Sequence, residues 1–88
     1  MIRVRFFAGA AAAAGIDEAV LAPALYPSLR DAVASVVPHS IDEVLNVSSF
    51  LLNGELASAE RELDARENAQ NAGEGDILID VLPPFAGG

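Results

Sequence analysis

The 88-residue chain has no cysteine, no lysine and a single histidine, His39. Without cysteine it has no disulfides, no thiolate metal ligands and no thiol nucleophile. One histidine is too few for a metal site, so we expect a structural or solvent-facing role for it. No apolar run approaches the roughly 20 residues that a membrane-spanning helix needs. Residues 1–15 lack the charged head and apolar block of a secretory signal, so we expect a cytoplasmic protein without membrane contact.

The charge of the chain is strongly one-sided. Thirteen acidic side chains oppose five basic ones, all of them arginine, and the formal net charge is −8. Such a chain repels nucleic-acid phosphates and anionic membrane surfaces, and we expect it to bind neither. Because lysine is absent, an activated carboxyl group would find no lysine amine on the chain itself.

The two ends of the chain carry the clearest strand patterns. Residues 1–8 alternate between apolar and other side chains, with Ile2, Val4 and Phe6 on one face, and residues 77–82 alternate over a similar length. Because these are the longest alternating runs, we expect the two strands to lie side by side in the centre of one sheet.

The middle of the chain predicts one main helix and a shorter one. Ser28 is placed to cap a helix over residues 28–37, whose apolar residues recur at helical spacing, and Pro38 ends it. Ser40 and Glu43 repeat the capping-box spacing, which predicts a second short helix or helical turn.

A hairpin signal follows the helices. Asn53-Gly54 stands between two short apolar runs, which predicts strands at residues 48–52 and 55–58 joined by a tight turn. Residues 18–21 predict a further strand that pairs with the first.

Two segments carry weaker signals. Residues 10–14, all alanine, predict a connection with no more than one helical turn, because the run is too short to form a stable helix alone. Residues 59–74 are polar and acidic, which predicts a short helix or a mobile surface loop without a function.

These elements predict one small domain of the α+β class. A chain of this length supports a single core. A helix stripe and a sheet face each need an apolar partner, so we expect a mixed sheet of about five strands with one face covered by one main helix.

The last six residues form an unusual tail. Pro83 and Pro84 restrict the backbone to extended geometry, so the tail should leave the domain as a stiff arm. Gly87 and Gly88 have no Cβ and can present a carboxylate through a narrow channel.

Four motifs together resemble the ubiquitin-like sulfur carriers, the MoaD/ThiS family. They are the start Met1-Ile2-Arg3-Val4-Arg5-Phe6-Phe7-Ala8, the Asn53-Gly54 hairpin, Gly75-Asp76 before the last strand, and the ending Pro83-Pro84-Phe85-Ala86-Gly87-Gly88. The resemblance implies a ubiquitin-like β-grasp domain over residues 1–82 and an extended tail over residues 83–88. The ending is most similar to that of the molybdopterin synthase small subunit.

The resemblance also implies a mechanism and a set of partners. An E1-like adenylating enzyme would join Gly88 to AMP from ATP, and a sulfur donor protein would displace the AMP to leave a thiocarboxylate. Gly87 would let the tail thread into active sites. The large subunit of molybdopterin synthase would form a heterotetramer with the chain and receive the sulfur for the molybdenum cofactor. The chain itself would bind no cofactor or metal and would be a non-catalytic, sulfur-donating subunit.

The same resemblance predicts a partner-binding surface next to the tail. Phe7 lies on the opposite strand face from Ile2, and Leu78 and Leu82 share the corresponding side of the last strand. The alternative is that residues 59–74 cover Phe7. In the tail, Phe85 is the expected anchor in a partner groove. The remaining predicted contacts are Pro83, Pro84 and Ala86.

Other functions remain open at the level of sequence. The sulfur could go to thiamine or cysteine synthesis, or the chain could be a ubiquitin-like modifier conjugated to targets through Gly88. A free-standing enzyme is disfavoured, because no cysteine or lysine nucleophile, phosphate-binding glycine loop or metal-ligand cluster is present.

Overall fold

The computed structural model describes residues 1–37, 41–66 and 77–83. Seven strands and three helices lie in these ranges. In chain order they are β1 (Ile2–Phe6), α1 (Ala8–Ala14), β2 (Glu18–Leu21), β3 (Leu25–Tyr26), α2 (Leu29–Ala34), α3 (Asp42–Val47), β4 (Ser49–Leu52), β5 (Glu55–Ala57), β6 (Leu63–Asp64) and β7 (Ile77–Leu82).

Five of the strands form one mixed sheet in the order β2-β1-β7-β4-β5. The first and last strands are parallel neighbours at its centre, as their alternation predicts, and the other neighbours are antiparallel. The prediction of a small α+β domain with a mixed five-stranded sheet is confirmed, and the architecture is β-grasp-like.

The core lies between one face of this sheet and the helices. Ile2 and Val4 on β1 and Ile79 and Val81 on β7 are fully buried, and they share one face because they are direct partners or two residues apart. Burial of such side chains supplies most of the driving force for folding, at roughly 1.5–3 kcal/mol for each large apolar residue.

In the described residues, three short helices together cover the sheet face that one main helix was expected to cover. In α2, Ser28 acts as the predicted N-cap, and its Oγ accepts a hydrogen bond from the amide of Asp31 at 3.1 Å. The helix ends at Ala34, earlier than predicted, because the amides of Val36 and Val37 bond to carbonyls only three residues back. Pro38 lies outside the described residues.

The alanine-rich segment forms a seven-residue helix, α1, of about two turns, so the prediction of a connection with at most one helical turn is wrong. Ala10 and Ala14 are buried in the core, and their small side chains let the helix approach the sheet closely. Gly15 ends the helix in a left-handed conformation with φ of 77°. Tertiary packing therefore stabilises a helix that would be too short alone.

The predicted second helix and hairpin are both present. Helix α3 begins after Ile41, which makes no side-chain capping bond, and Ser40 lies outside the described residues. Asn53 and Gly54 have φ of 51° and 86°, the left-handed geometry of a tight hairpin turn between β4 and β5.

Residues 59–66, which follow the hairpin, contain a strand and two buried side chains. The prediction of a helix or surface loop is therefore wrong for these residues. Strand β6 pairs with β3, and Leu63 and Ala65 are only 5% and 0% exposed. The carbonyls of Arg61 and Ala59 also accept hydrogen bonds from the first two amides of α2. These amides have no partner within the helix, so the segment completes its N-terminus. Residues 67–74 lie outside the described range.

In the described part of the chain, no helix is long and apolar enough to cross a membrane.

Candidate functional site: the last strand and the outer sheet face

The strand that leads to the tail is the central strand of the sheet and is paired on both edges. β7 pairs with β1 on one side and with β4 on the other, so that Ile79 lies opposite both Val4 and Leu52. Both edges of its backbone are thereby hydrogen-bonded. The chain therefore leaves the sheet at Leu82 from a rigid origin.

Of the predicted contact residues that are described, Phe7, Leu82 and Pro83 lie together at this exit, whereas Leu78 lies four residues earlier on β7, opposite Arg3. The amide of Phe7 donates to the carbonyl of Val81 at 3.1 Å, which places Phe7 beside Leu82 at the end of the two strands. Phe7 is 38% exposed, and Leu78, Leu82 and Pro83 are half-buried. The other predicted site residues, Pro84, Phe85, Ala86, Gly87 and Gly88, lie outside the described residues.

The strand register defines the sheet face opposite the core, here called the outer sheet face. Residues that are direct partners across strands share a face, and so do residues two apart along a strand. From β2 to β5, this face carries Glu18 and Val20, Arg3 and Arg5, Leu78, Asp80 and Leu82, Ser49 and Leu51, and Leu56.

Apolar side chains on the outer sheet face stay accessible. Leu56 is 77% exposed and Val20 is 48% exposed. Leu51 and Leu78 are half-buried, and within the described part of the chain neither of them belongs to the core cluster. Several accessible apolar side chains on one face of a small domain are typical of a protein-protein contact surface.

Two ion pairs lie on the outer sheet face, one between β1 and the edge strand β2 and one between β1 and β7. Arg3 Nη1 lies 2.9 Å from Glu18 Oε2 on the neighbouring edge strand. Arg5 binds Asp80 with two parallel hydrogen bonds, from Nε to Oδ1 at 2.7 Å and from Nη2 to Oδ2 at 3.0 Å. This bidentate geometry is the strongest form of an arginine-carboxylate pair.

The Arg5–Asp80 pair is asymmetric in its exposure. The Asp80 side chain is 8% exposed, whereas that of Arg5 is 41% exposed. The hydrogen bond to Asp80 holds the pKa of Arg5 above its usual value, against the opposing effect of partial burial. The guanidinium carbon also lies 5.5 Å from the centre of the Phe7 ring, within range of a cation-π contact. The carboxylate is thus covered, and the cation reaches the surface.

Sequence reasoning missed both members of this pair as site residues. The sequence does contain a signal for the pair, because the two longest alternating runs carry opposite charges at Arg5 and Asp80. Only the register, in which Arg5 is the direct partner of Asp80, brings them together. The exposed leucines on β4 and β5 were missed for the same reason.

Within the described residues, no three histidine, cysteine, aspartate or glutamate side chains come together in a way that could hold a metal ion.

No protein-family model matches the chain, and no curated protein matches it. The fold defines a small α+β protein with a β-grasp-like sheet. The resemblance to the sulfur carriers stays a prediction from the residues quoted above.

Proposed function

We propose that this protein is a sulfur carrier whose C-terminal glycine, Gly88, is adenylated by a separate enzyme and then converted to a thiocarboxylate. The observation that carries the proposal is the position of β7, which is paired on both edges and leads directly into Pro83 and the Gly-Gly ending. A strand fixed in this way gives the following residues a defined starting point and direction.

The chemistry requires a partner because a free carboxylate is charged and has no good leaving group. In the adenylation step, a carboxylate oxygen of Gly88 attacks the α-phosphorus of ATP and pyrophosphate leaves. In the second step, the terminal sulfur of a persulfide on a donor protein attacks the acyl carbon, and AMP leaves with the electron pair of the broken C–O bond, which gives an acyl disulfide. A thiol of a partner protein then attacks the donor's own sulfur in that S–S bond, so that a disulfide forms with the donor and Gly88 leaves as the thiocarboxylate. The carrier supplies one carboxyl group and the geometry of its tail.

The composition of the chain suits this role. There is no cysteine, so no side-chain thiol competes for the activated acyl group. There is also no lysine, so the adenylate meets no lysine amine on a sister copy. Of the chain's own amines, only the amino terminus is left to compete with the sulfur donor.

The acceptor that the ending favours is the molybdopterin synthase reaction, with this chain as the sulfur-donating small subunit. The support is the Pro-Pro-Phe-Ala-Gly-Gly sequence of residues 83–88. Co-purification with a molybdopterin synthase large subunit as a heterotetramer tests this assignment. Recovery with a thiazole-forming or cysteine-forming enzyme instead would redirect the sulfur to those pathways.

The carrier function itself is tested by mass spectrometry of the intact protein from its native cell. We expect a species in which one oxygen is replaced by sulfur, and fragmentation should locate the change at Gly88 as the terminal residue. Gly88→Ala and Gly87→Ala should abolish that species, because a Cβ obstructs passage of the tail through a narrow channel.

Gly9→Ala is the matched control for these substitutions. A Cβ built at Gly9 has no atom within 4 Å, so the variant should form the thiocarboxylate at the wild-type level. Larger covalent conjugates through Gly88, without the sulfur species, would show a protein modifier instead. If neither species is found and the terminal glycines can be deleted without a phenotype, the proposal is wrong.

A further inference from the structure

The outer sheet face differs in charge from the rest of the protein. Its four charged residues form two ion pairs and cancel one another, so the net charge of −8 belongs to the remainder of the chain. A second copy of this chain is a poor occupant for the face, because two strongly acidic bodies repel each other. The charge therefore favours a different protein, with apolar side chains opposite the face and basic residues around it.

The centre of this face offers one specific hydrogen-bond donor. Arg5 uses Nε and Nη2 to bind Asp80, and among the described residues its third nitrogen, Nη1, makes no hydrogen bond. The guanidinium is fixed on one side by the buried carboxylate and on another by the ring of Phe7. Its direction is thus set before a partner arrives, which lowers the entropy cost of binding.

We infer that Arg5 is the polar anchor of the outer sheet face and donates from Nη1 to a carbonyl oxygen of the adenylating enzyme. The inference rests on the proposed function. A neutral carbonyl fits better than a carboxylate, because the positive charge of Arg5 is already balanced by Asp80 and the protein as a whole is acidic. The leucines of the face contact apolar side chains around this bond.

The pair also excludes wrong partners. A surface that is apolar opposite Arg5 would remove water from a side chain that is 41% exposed and return no hydrogen bond. A partner with an apolar surface opposite Arg5 therefore binds weakly. In this way Arg5 discriminates against proteins that match only the leucines of the face.

The test replaces the whole pair with apolar residues and measures binding to the adenylating enzyme of the same organism by titration calorimetry. In Arg5→Met/Asp80→Leu, neither charge is left without a partner, so the fold should be retained. We expect the dissociation constant to rise about tenfold, because the partner's carbonyl loses its donor and stays buried. If the face binds only through apolar contact, the same variant presents more apolar surface and binds as tightly as wild type or more tightly.

A matched double variant on the same face is Arg3→Met/Glu18→Leu. It makes the equivalent change at the edge strand, and we expect less than about a twofold effect, as for rim positions in other interfaces. Arg5→Lys is the second variant and covers the case in which the double variant does not fold. Lysine keeps the charge but lacks the planar fork, so a loss of several-fold is expected.

The outcomes separate this inference from the proposed function. If wild type supports pyrophosphate release by the enzyme and both Arg5 variants bind normally, Arg5 is not the anchor although the carrier function stands. If the two central variants lose affinity and the edge variant does not, the anchor is established. If wild type itself is neither bound nor adenylated, both proposals are overturned.

Discussion

The hairpin turn at Asn53 allows a direct test of how the sheet holds the last strand. The side-chain Oδ1 of Asn53 accepts a hydrogen bond from the backbone amide of Leu78 at 2.9 Å. The backbone amide of Asn53 donates a hydrogen bond to the Leu78 carbonyl at 2.8 Å. The residue also has φ of 51°, which asparagine tolerates better than other residues with a side chain. One residue therefore shapes the turn and ties it to β7.

Two substitutions separate these contributions. Asn53→Gly keeps the backbone geometry and loses the side-chain acceptor, which should cost about 1 kcal/mol of unfolding free energy, the usual net value of such a bond. Asn53→Ala loses the acceptor and also places an alanine in the left-handed region, which adds about 1 kcal/mol. We therefore expect about 2 kcal/mol for alanine, or a fall in the melting temperature of roughly 8–16 °C for a domain of this size.

Urea unfolding followed by circular dichroism measures both free energies, with Asn53→Asp as the control that keeps the acceptor oxygen. The aspartate variant should stay close to wild type. If glycine and alanine destabilise equally, the positive φ contributes nothing and the reasoning about the turn fails. If aspartate costs as much as alanine, the bond to Leu78 is not stabilising.

Three further predictions concern the cap, an acid-range ion pair and the core. Ser28→Ala should lower the unfolding free energy by about 1 kcal/mol, measured by urea unfolding, because the α2 N-cap bond is lost. The Arg66 side chain lowers the pKa of Asp64 to about 2, below the ordinary aspartate value of 3.8. Wild type should therefore be more stable than Asp64→Asn above pH 4, and the difference should shrink below pH 4 and be lost as the pH falls through 2, in urea titrations at a series of pH values. Ile79→Ala should cost about 2–5 kcal/mol in the same assay, because Ile79 is fully buried at the centre of the sheet.

The sheet was largely predictable from sequence because its signals are local. The alternation in β1 and β7 and the Asn-Gly turn each depend on a few neighbouring residues. The central pairing of β1 with β7 followed from their length alone. The helix boundaries were predicted less well, since α2 ends at Ala34, where the following amides bond to carbonyls only three residues back.

The elements that sequence missed depend on contacts that are distant along the chain. Helix α1 forms because Ala10 and Ala14 pack into the core, which alanine propensity alone does not reveal. Strand β6 has two residues and exists through its pairing with β3 and the bonds from the adjacent segment to α2. A polar segment with Leu63 in it gives little indication of such a role.

The candidate site was predictable in part. The exit of β7 next to Phe7 agrees with the pattern of the two end strands. The Arg5–Asp80 pair needed the register, because the two residues are 75 positions apart. Their opposite charges become informative only once β1 and β7 are known to be parallel and in this alignment.

Strand β7 has core residues on one face and the proposed contact residues on the other, so substitutions on each face can test the carrier proposal. Ile79 and Val81 point into the core and are fully buried, whereas Leu78, Asp80 and Leu82 lie on the outer sheet face. A substitution of Ile79 or Val81 on the first face should act by lowering the folded fraction, so its effect on activity should grow as denaturant is added. A substitution of Leu78 or Leu82 on the second face should act through partner affinity while the melting temperature stays near wild type. Because both sets alternate along the one strand that leads to Pro83, the carrier proposal predicts that a partner covering the outer sheet face lies next to the start of the tail.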